Sequence, residues 1–358
     1  MGNIKSIGFL HSSNPMCACF WYVEHGLFFT AAIGSSLIVY DCGGVPCYFS
    51  HKESAYLNTD LQQFQVALKS KKINRIYVFL SHFHLDHING LPNLRSILIS
   101  YLHTQIENYA INNNNKYISI ICRNATFWDF IYLFTTNNYF DDDFNINSLE
   151  SKHFDSSFTD IILGKSINNF VSIDSVGDNF ISSTNLGKYK YELKIGIPSV
   201  VNNNYNNLKN ALSQIKGISS TISPFNIALE LKKGGSIAKQ IRQVLRRIYR
   251  STKLNNTSII LAINNSPKGK SIFLTGDYEK SFKEGDFSKK DIKTNLGNAN
   301  NIILIPHHGG RSILGRDLFN TYGTNSQFYI SENRTRRRNN YLSNNVFLIK
   351  IPFFGFIF

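Results

Sequence analysis

Cysteine is scarce in this 358-residue chain and shows no pairing pattern. There are five, at positions 17, 19, 42, 47 and 122. An odd number without CxxC spacing argues against a disulfide framework and a structural zinc knuckle, and it fits a reducing, cytoplasmic setting. Cys17 and Cys19 read as ordinary core or loop sulfur. Long apolar runs are lacking too. No stretch of about 18 uninterrupted apolar residues occurs, so no transmembrane helix is expected. The N-terminus lacks the charged-then-apolar pattern of a secretion signal. Its first six residues, Met1 to Ser6, fit a myristoylation pattern, but that pattern is short and frequent and carries no weight here. Acidic residues are outnumbered: 24 Asp plus Glu stand against 38 Lys plus Arg, a formal charge of +14. Such an excess favours an anionic partner such as nucleic acid, a phosphorylated substrate or an anionic membrane. Abundant Asn, Ile and Lys from AT-rich coding would raise the charge without any function.

What is present is enough for a folded protein. Hydrophobic residues make up 42% and charged residues 17%, so the chain is globular, with length for one large domain or two ordinary ones. The informative stretch is Ser81-His82-Phe83-His84-Leu85-Asp86-His87-Ile88-Asn89-Gly90. Before it runs an apolar, β-prone segment from Arg75 to Leu80, read as a buried strand. After it come Pro92 and then Leu94, Ile97, Leu98 and Leu102 at helical spacing. The cluster therefore sits on the loop between a strand's C-terminal end and a helix, where ligands collect in α/β sheets. His82 and His84 on one side, with Asp86 and His87 on the other, can hold two cations a few ångströms apart. Imidazole and carboxylate donors suit zinc, manganese or iron.

At these residues the sequence resembles the metallo-β-lactamase superfamily, whose HxHxDH signature stands as His82, His84, Asp86 and His87. Three more pieces follow the family's order. Ser36 to Gly43 looks like the early strand ending in Asp-x-Gly, with Asp41. Ser271 to Asp277 looks like the strand ending in the metal-bridging Asp. Ile302 to Gly310 looks like the last ligand motif, with His307 and His308. The pair LTGD then PHHG is most similar to the ComEC-like branch, the hydrolase domain of DNA-uptake competence proteins and its stand-alone relatives. The resemblance spans roughly residues 7 to 330. It is strong at the four motifs and weak between them.

The resemblance implies an α/β fold, the four-layer αββα sandwich, and a divalent metal cofactor, two Zn²⁺ with Mn²⁺ as the alternative. His82, His84 and Asp277 would hold one ion. Asp86, His87, Asp277 and one of His307 and His308 would hold the other. Asp86 and His308 are the candidate catalytic groups, and both His307 and His308 are candidate ligands. Asp41 would lie behind the ligands and orient one of them. The implied activity is hydrolysis by metal-bound hydroxide, on a phosphodiester and plausibly on nucleic acid. The alternatives are a small ester, thioester or lactam, or a catalytically weak module that binds nucleic acid or a partner. Many superfamily members carry a further His between the first motif and the bridging Asp. Here only His103 and His153 lie in that interval, and neither follows an apolar strand. Asn256 to Ser258 match the Asn/Ser stretch of the ComEC-like members instead, so one cation position is expected to be poorer in ligands.

Elsewhere the pattern is plainer. Phe20 to Val23 and Leu27 to Ala32 flank Glu24-His25-Gly26 and read as a hairpin. His25 is read there as a plain turn histidine, although it could border the pocket. Residues 55 to 72 show a helical apolar stripe, and Tyr117 to Cys122 read as a strand. Residues 124 to 250 are the least legible, with short strands at Ile161 to Leu163, Phe170 to Ile173 and Tyr189 to Ile197, a solvated turn at Asp141 to Asp143, and an inserted helical element. Within it Ser236 to Arg250 form an amphipathic basic helix, able to track a phosphate backbone or simply to lie solvated on the core. Ile259 to Ile263 and Ser271 to Leu274 read as a hairpin. Gln327 to Ile330 read as a final strand. Residues 331–358 are a basic then apolar tail, taken as a packed strand, a surface anchor or a non-native end.

Overall fold

The computed structural model describes residues 16–46, 54–73, 75–82, 84–109, 117–122, 169–172, 180–185, 191–196, 201–218, 222, 224–249, 254–265, 271–283, 287–296, 301–309, 313–322, 326–330, 348–350 and 356–357. The first sheet is built from β1 (Met16–Phe20), β2 (His25–Ile33), β3 (Ser36–Val45), β4 (Arg75–Phe79), β5 (Tyr117–Cys122) and β6 (Asn169–Ser172). These lie side by side in chain order. The second contains β7 (Phe180–Asn185), β8 (Tyr191–Gly196), β9 (Ile260–Asn265), β10 (Ile272–Leu274), β11 (Ile302–Leu304), β12 (Gln327–Ile330) and β13 (Leu348–Lys350), also in chain order. A last strand, β14 (Phe356–Ile357), pairs antiparallel with β1.

Side chains alternate along each strand, and both faces of each sheet are covered, so β2 and β3 are buried along their whole length. Leu27, Phe29, Ala31, Ile38 and Tyr40 face Leu193, Leu261, Ile263, Ile272 and Leu304 in the cluster between the sheets. The other face of the first sheet packs against helices. Leu61 and Phe64 of α1 (Ala55–Lys69) share one cluster with Leu94 and Leu98, which lie beyond the short α2 (Leu85–Ile88) in α3 (Leu91–Tyr109). The cluster continues into α4 (Val201–Ser213), α5 (Pro224–Lys233) and α6 (Gly235–Tyr249) through Leu208, Leu212, Leu231, Ile241 and Leu245. Behind the second sheet, Ile292 of α7 (Lys289–Leu296) and Leu318 of α8 (Ile313–Tyr322) pack on Ala262, Phe273 and Ile303. The result is the expected α/β architecture, a four-layer αββα sandwich.

The expected elements at Tyr117 to Cys122, Phe170 to Ile173 and Tyr189 to Ile197 are β5, β6 and β8. The hairpin before the second acidic motif is β9 paired antiparallel with β10. The segments at 161–163, 141–143 and 334–338 lie outside the described residues. In the tail, the packed-strand alternative is the one observed. Gln327 to Ile330 are not the final strand, because β13 adds in parallel to β12 and β14 caps the other sheet. β13 and β14 each extend one edge of a sheet, which pairs ladder groups that an open edge leaves unpaired.

Topology puts the site at one end of both sheets. β3, β4 and β5 run parallel, as do β10, β11 and β12. His82, Asp277 and His307 each stand three residues past the end of β4, β10 and β11 respectively. Because β2 runs antiparallel to β3, the start of β2 lies at this same end. Ligand sites outside the carboxyl ends of parallel strands are the general rule for such sheets.

Candidate metal centre

Asp41 anchors the site from below. β2 and β3 slip register between Phe28 and Phe29, so Phe28 opposes Cys42 and Phe29 opposes Tyr40. Asp41 is the extra residue of this bulge, with φ of 54°. A bulge re-aims one side chain out of the ladder. The Asp41 carboxylate, fully buried, accepts from the Ser81 backbone N–H at 2.7 Å and from the Ser81 hydroxyl at 2.6 Å. It also accepts from His87 Nδ1 at 2.7 Å. With Nδ1 so engaged, His87 presents Nε2 to the site, 3.3 Å from Asp277 Oδ1. His82 is set in the same way. The Ser81 hydroxyl donates to Asp41, so it accepts from His82 Nδ1 at 3.0 Å, and His82 Nε2 faces the other donors. That Nε2 lies 2.9 Å from His84 Nδ1.

The short α2 that carries Asp86 and His87 sits directly on strand backbone. A Cβ on Gly43 would fall 2.5 Å from backbone atoms of Asp86 and His87. The Asn89 side chain locks the same contact, accepting from Gly44 N–H and donating to Gly44 O, both at 2.8 Å. On the other sheet, Gly276 has φ of 53° and leaves no room for a side chain, since a Cβ would meet Ser81 Cβ at 2.9 Å. The Asn256 to Ser258 stretch shapes this turn. Ser258 Oγ accepts from Asp277 N–H at 3.1 Å and Asn256 Oδ1 accepts from Glu279 N–H at 3.0 Å.

Two sets of donors result. His82, His87 and Asp277 form one, with ligand atoms within 4.8 Å of one another; His25, Asp86 and His308 form the other on the same criterion. Asp277 touches both, its Oδ2 lying 3.8 Å from His82 Nε2 and 3.6 Å from His308 Nε2. His308 Nε2 is 3.0 Å from Asp86 Oδ2 and 3.4 Å from His87 Nε2. The chemistry of this donor set, imidazole nitrogens and carboxylates converging in a buried space, fits divalent cations of borderline softness.

Electrostatics point the same way. Burial, then His87 and His84, pushes His82 well below the usual imidazole range. Burial likewise lowers His84 and His308. These rings are neutral at neutral pH, the form that ligates metal. Asp86 and Asp277 are held well below the ordinary carboxylate range against the opposing effect of burial, Asp86 chiefly by His87, His25 and His308, Asp277 chiefly by His308 and His87. Burial alone would lower His87, but Asp277, Asp41 and Asp86 raise it well above the usual value. The centre is thus rich in negative charge that calls for a cation.

His307 and His308, which sequence could not tell apart, are separated by the backbone. Both adopt left-handed φ, 53° and 51°, and their ring centroids are 6.2 Å apart. His308 is buried among the donors. His307 Nδ1 instead pairs with Glu279, whose carboxylate also accepts from Asn255 Nδ2 at 3.2 Å. The pairing with His307 holds Glu279 below its ordinary value despite burial. His307 therefore stands outside both donor sets, and Glu279 is a residue that sequence reading missed. His25 is the other. It is not a plain turn histidine but the first residue of β2, only 4% exposed, with Nε2 3.2 Å from Asp86 Oδ2. Its signal was faint: a His-Gly at a turn. The described part of His103 is backbone only, and His153 lies outside the described residues.

Among the described residues, four other than glycine have positive φ: Glu24, Asp41, His307 and His308. All four border this site. Each such residue costs on the order of 1–3 kcal/mol, and such strain gathers where function requires it.

The layers and strand arrangement are those of the αββα sandwich that the sequence resemblance implies. No protein-family model matches the chain, and no curated protein matches it in sequence. Among solved structures, it is similar to the metallo-β-lactamase fold protein YhfI from Bacillus subtilis at 12% identity and a TM-score of 0.35, covering 89% of this chain and 98% of that one. It is also similar to a long form RNase Z from yeast at 12% identity and a TM-score of 0.41. That match covers 97% of this chain and 42% of the yeast protein. No helix among the described residues is long and apolar enough to cross a membrane.

Proposed function

We propose that this chain is a metal-dependent hydrolase that cleaves phosphodiesters, with nucleic acid as the substrate class. The observation that carries the proposal is Asp277, placed between two sets of imidazole and carboxylate donors. His82, His84 and Asp277 would hold one divalent cation, and Asp86, His87, Asp277 and His308 the other; His84 Nδ1 lies 2.9 Å from His82 Nε2, and His87 Nε2, which also groups with His82 and Asp277, lies 3.4 Å from His308 Nε2. When bound, the two ions supply Lewis-acid stabilisation of the phosphoryl oxygens and a water made acidic enough to attack at neutral pH. The ComEC-like assignment belongs to the same proposal and draws support from Asn256 and Ser258, which set the backbone of Asp277 and Glu279.

The protein groups then divide the remaining work. Asp86, ionised, accepts the proton of the attacking water. The candidate acid moves from His308 to His307. His308 is enclosed by Asp86 and Asp277 as a ligand, whereas His307 is partly exposed and donates Nδ1–H to the ionised Glu279. That bond fixes the tautomer and orients the ring, the arrangement suited to delivering a proton to a leaving alkoxide. The net charge of +14 favours a polyanionic substrate.

The test is a substrate panel with the purified full chain and Zn²⁺ or Mn²⁺. DNA, RNA and bis-(p-nitrophenyl) phosphate represent phosphodiesters; a thioester, a carboxylic ester and a chromogenic lactam represent the alternatives. Metal-dependent cleavage of a phosphodiester is expected. If all three phosphodiesters stay intact while an ester or lactam is turned over, the substrate class is wrong.

A further inference from the structure

We propose that His25 is an additional protein ligand at the second cation position, joining Asp86, His87, Asp277 and His308. This rests on the reading of the centre as a dinuclear metal site. The placement is specific. His25 Nε2 lies 3.2 Å from Asp86 Oδ2, and the His25 and His308 ring centroids are 4.3 Å apart. One ligand atom from each of His25, Asp86 and His308 falls within 4.8 Å of the others. His25 is buried, on a strand from the first sheet, whereas His308 comes from the second. The position thus draws donors from both sheets.

The backbone around His25 is built to hold it there. Glu24, just before it, has φ of 64°, and its Oε2 accepts from the Ser54 hydroxyl at 2.7 Å. Gly26, just after it, has φ of 149° and packs against the metal loop so closely that a Cβ would lie 2.5 Å from Asp86 O and 2.4 Å from Gly43 O. A left-handed residue and a side-chain-free contact bracket a single imidazole, and the register of β2 with β3 pairs His25 with Val45, three residues before Phe28, where the bulge that aims Asp41 begins. A hydrophobic-core histidine would need neither. Among the described residues no further histidine joins His82, His84 and His87 at the first position, and Ser258 Oγ lies 3.3 Å from His82 Nδ1. An extra neutral nitrogen raises affinity for zinc over the harder magnesium and manganese, so the two positions differ in strength, the second being the tighter.

The test uses the full chain stripped with a chelator, titrated with zinc chloride by calorimetry, and separately loaded with Co²⁺ for absorption spectra. Wild-type protein is expected to show two unequal sites. His25→Ala should weaken the tighter one by at least about tenfold and change the Co²⁺ d–d bands, while the weaker site is unaltered. His25→Gln, which keeps volume and a hydrogen-bonding group, should show the same loss, so a packing defect is separated from a lost ligand. Far-UV circular dichroism of the stripped variants is expected to match stripped wild type. Two sites of unchanged affinity and unchanged Co²⁺ bands in both variants would overturn the role of His25 and leave the dinuclear reading standing. A wild-type chain that takes up no zinc would overturn both.

Discussion

The Asp41 carboxylate accepts from His87 Nδ1 at 2.7 Å in a place where neither side chain is exposed. This single bond decides which nitrogen of His87 faces the centre. Asp41→Asn keeps the shape, but an amide can turn its NH₂ toward the ring and favour the wrong tautomer. Metal affinity at the second position should fall by about 10- to 100-fold, the usual cost of losing such a supporting carboxylate, and at the first position by less, because Asp41 reaches His82 only through the Ser81 hydroxyl. Zinc calorimetry on stripped Asp41→Asn protein checks this; equal losses at both positions would show a general collapse instead.

His307 and Glu279 should act on turnover and not on metal. His307→Ala is expected to lower kcat on a phosphodiester by about 10²–10⁴-fold, with two zinc ions still bound. Glu279→Gln should follow in the same direction with a smaller loss, since the ring remains but loses its charged partner. A substrate with a very good leaving group, such as p-nitrophenolate, should recover most of the His307→Ala loss, because it needs no proton. Failure of that recovery would remove the acid role.

Asp60 gives a pH dependence away from the centre. It sits on α1, 5% exposed, with Oδ2 unpartnered among the described residues. Burial raises its carboxyl from 3.8 to about 8, against the Tyr22 backbone N–H that bonds it. The folded chain therefore keeps the proton that the unfolded chain releases near pH 4. Stability is unaffected by this group below the unfolded value, falls as pH rises from about 4 to 8, and levels off above. At pH 8 the cost is on the order of several kcal/mol. Asp60→Asn should thus raise Tm at pH 8 and do little at pH 4. A gain independent of pH would refute the titration.

The basic helix α6 presents Lys239, Arg246 and Arg247 to solvent while Ala238, Ile241 and Leu245 are fully buried. Replacing Lys239, Arg246 and Arg247 with Ala should weaken DNA binding, and the slope of log affinity against log salt should drop by about one per phosphate contact removed. The fold should survive, since these side chains cover no core. Unchanged binding would assign the helix to solvation alone.

The histidine motif was legible because its donors are neighbours in sequence and lie between a recognisable strand and helix. Asp277 was legible because it ends an apolar strand. The division between His307 and His308 was not, because it depends on two left-handed backbone angles that no side-chain pattern encodes. His25 escaped for a related reason. Its meeting with Asp86 depends on the antiparallel pairing of β2 and on close packing at Gly26 and Gly43, both set by tertiary structure. The tail strands β13 and β14 are a third case: a short apolar run looks alike whether it anchors, packs or pairs, and only long-range register distinguishes them.

The central claim is that two cations sit on either side of Asp277. A crystal of the full chain grown with zinc, measured on both sides of the zinc absorption edge, tests it most directly. Two anomalous peaks about 3.5–4 Å apart are expected, one against His82 and His84 and the other against Asp86, His87 and His308. A map without peaks there, or with zinc bound only at surface side chains, would contradict the account.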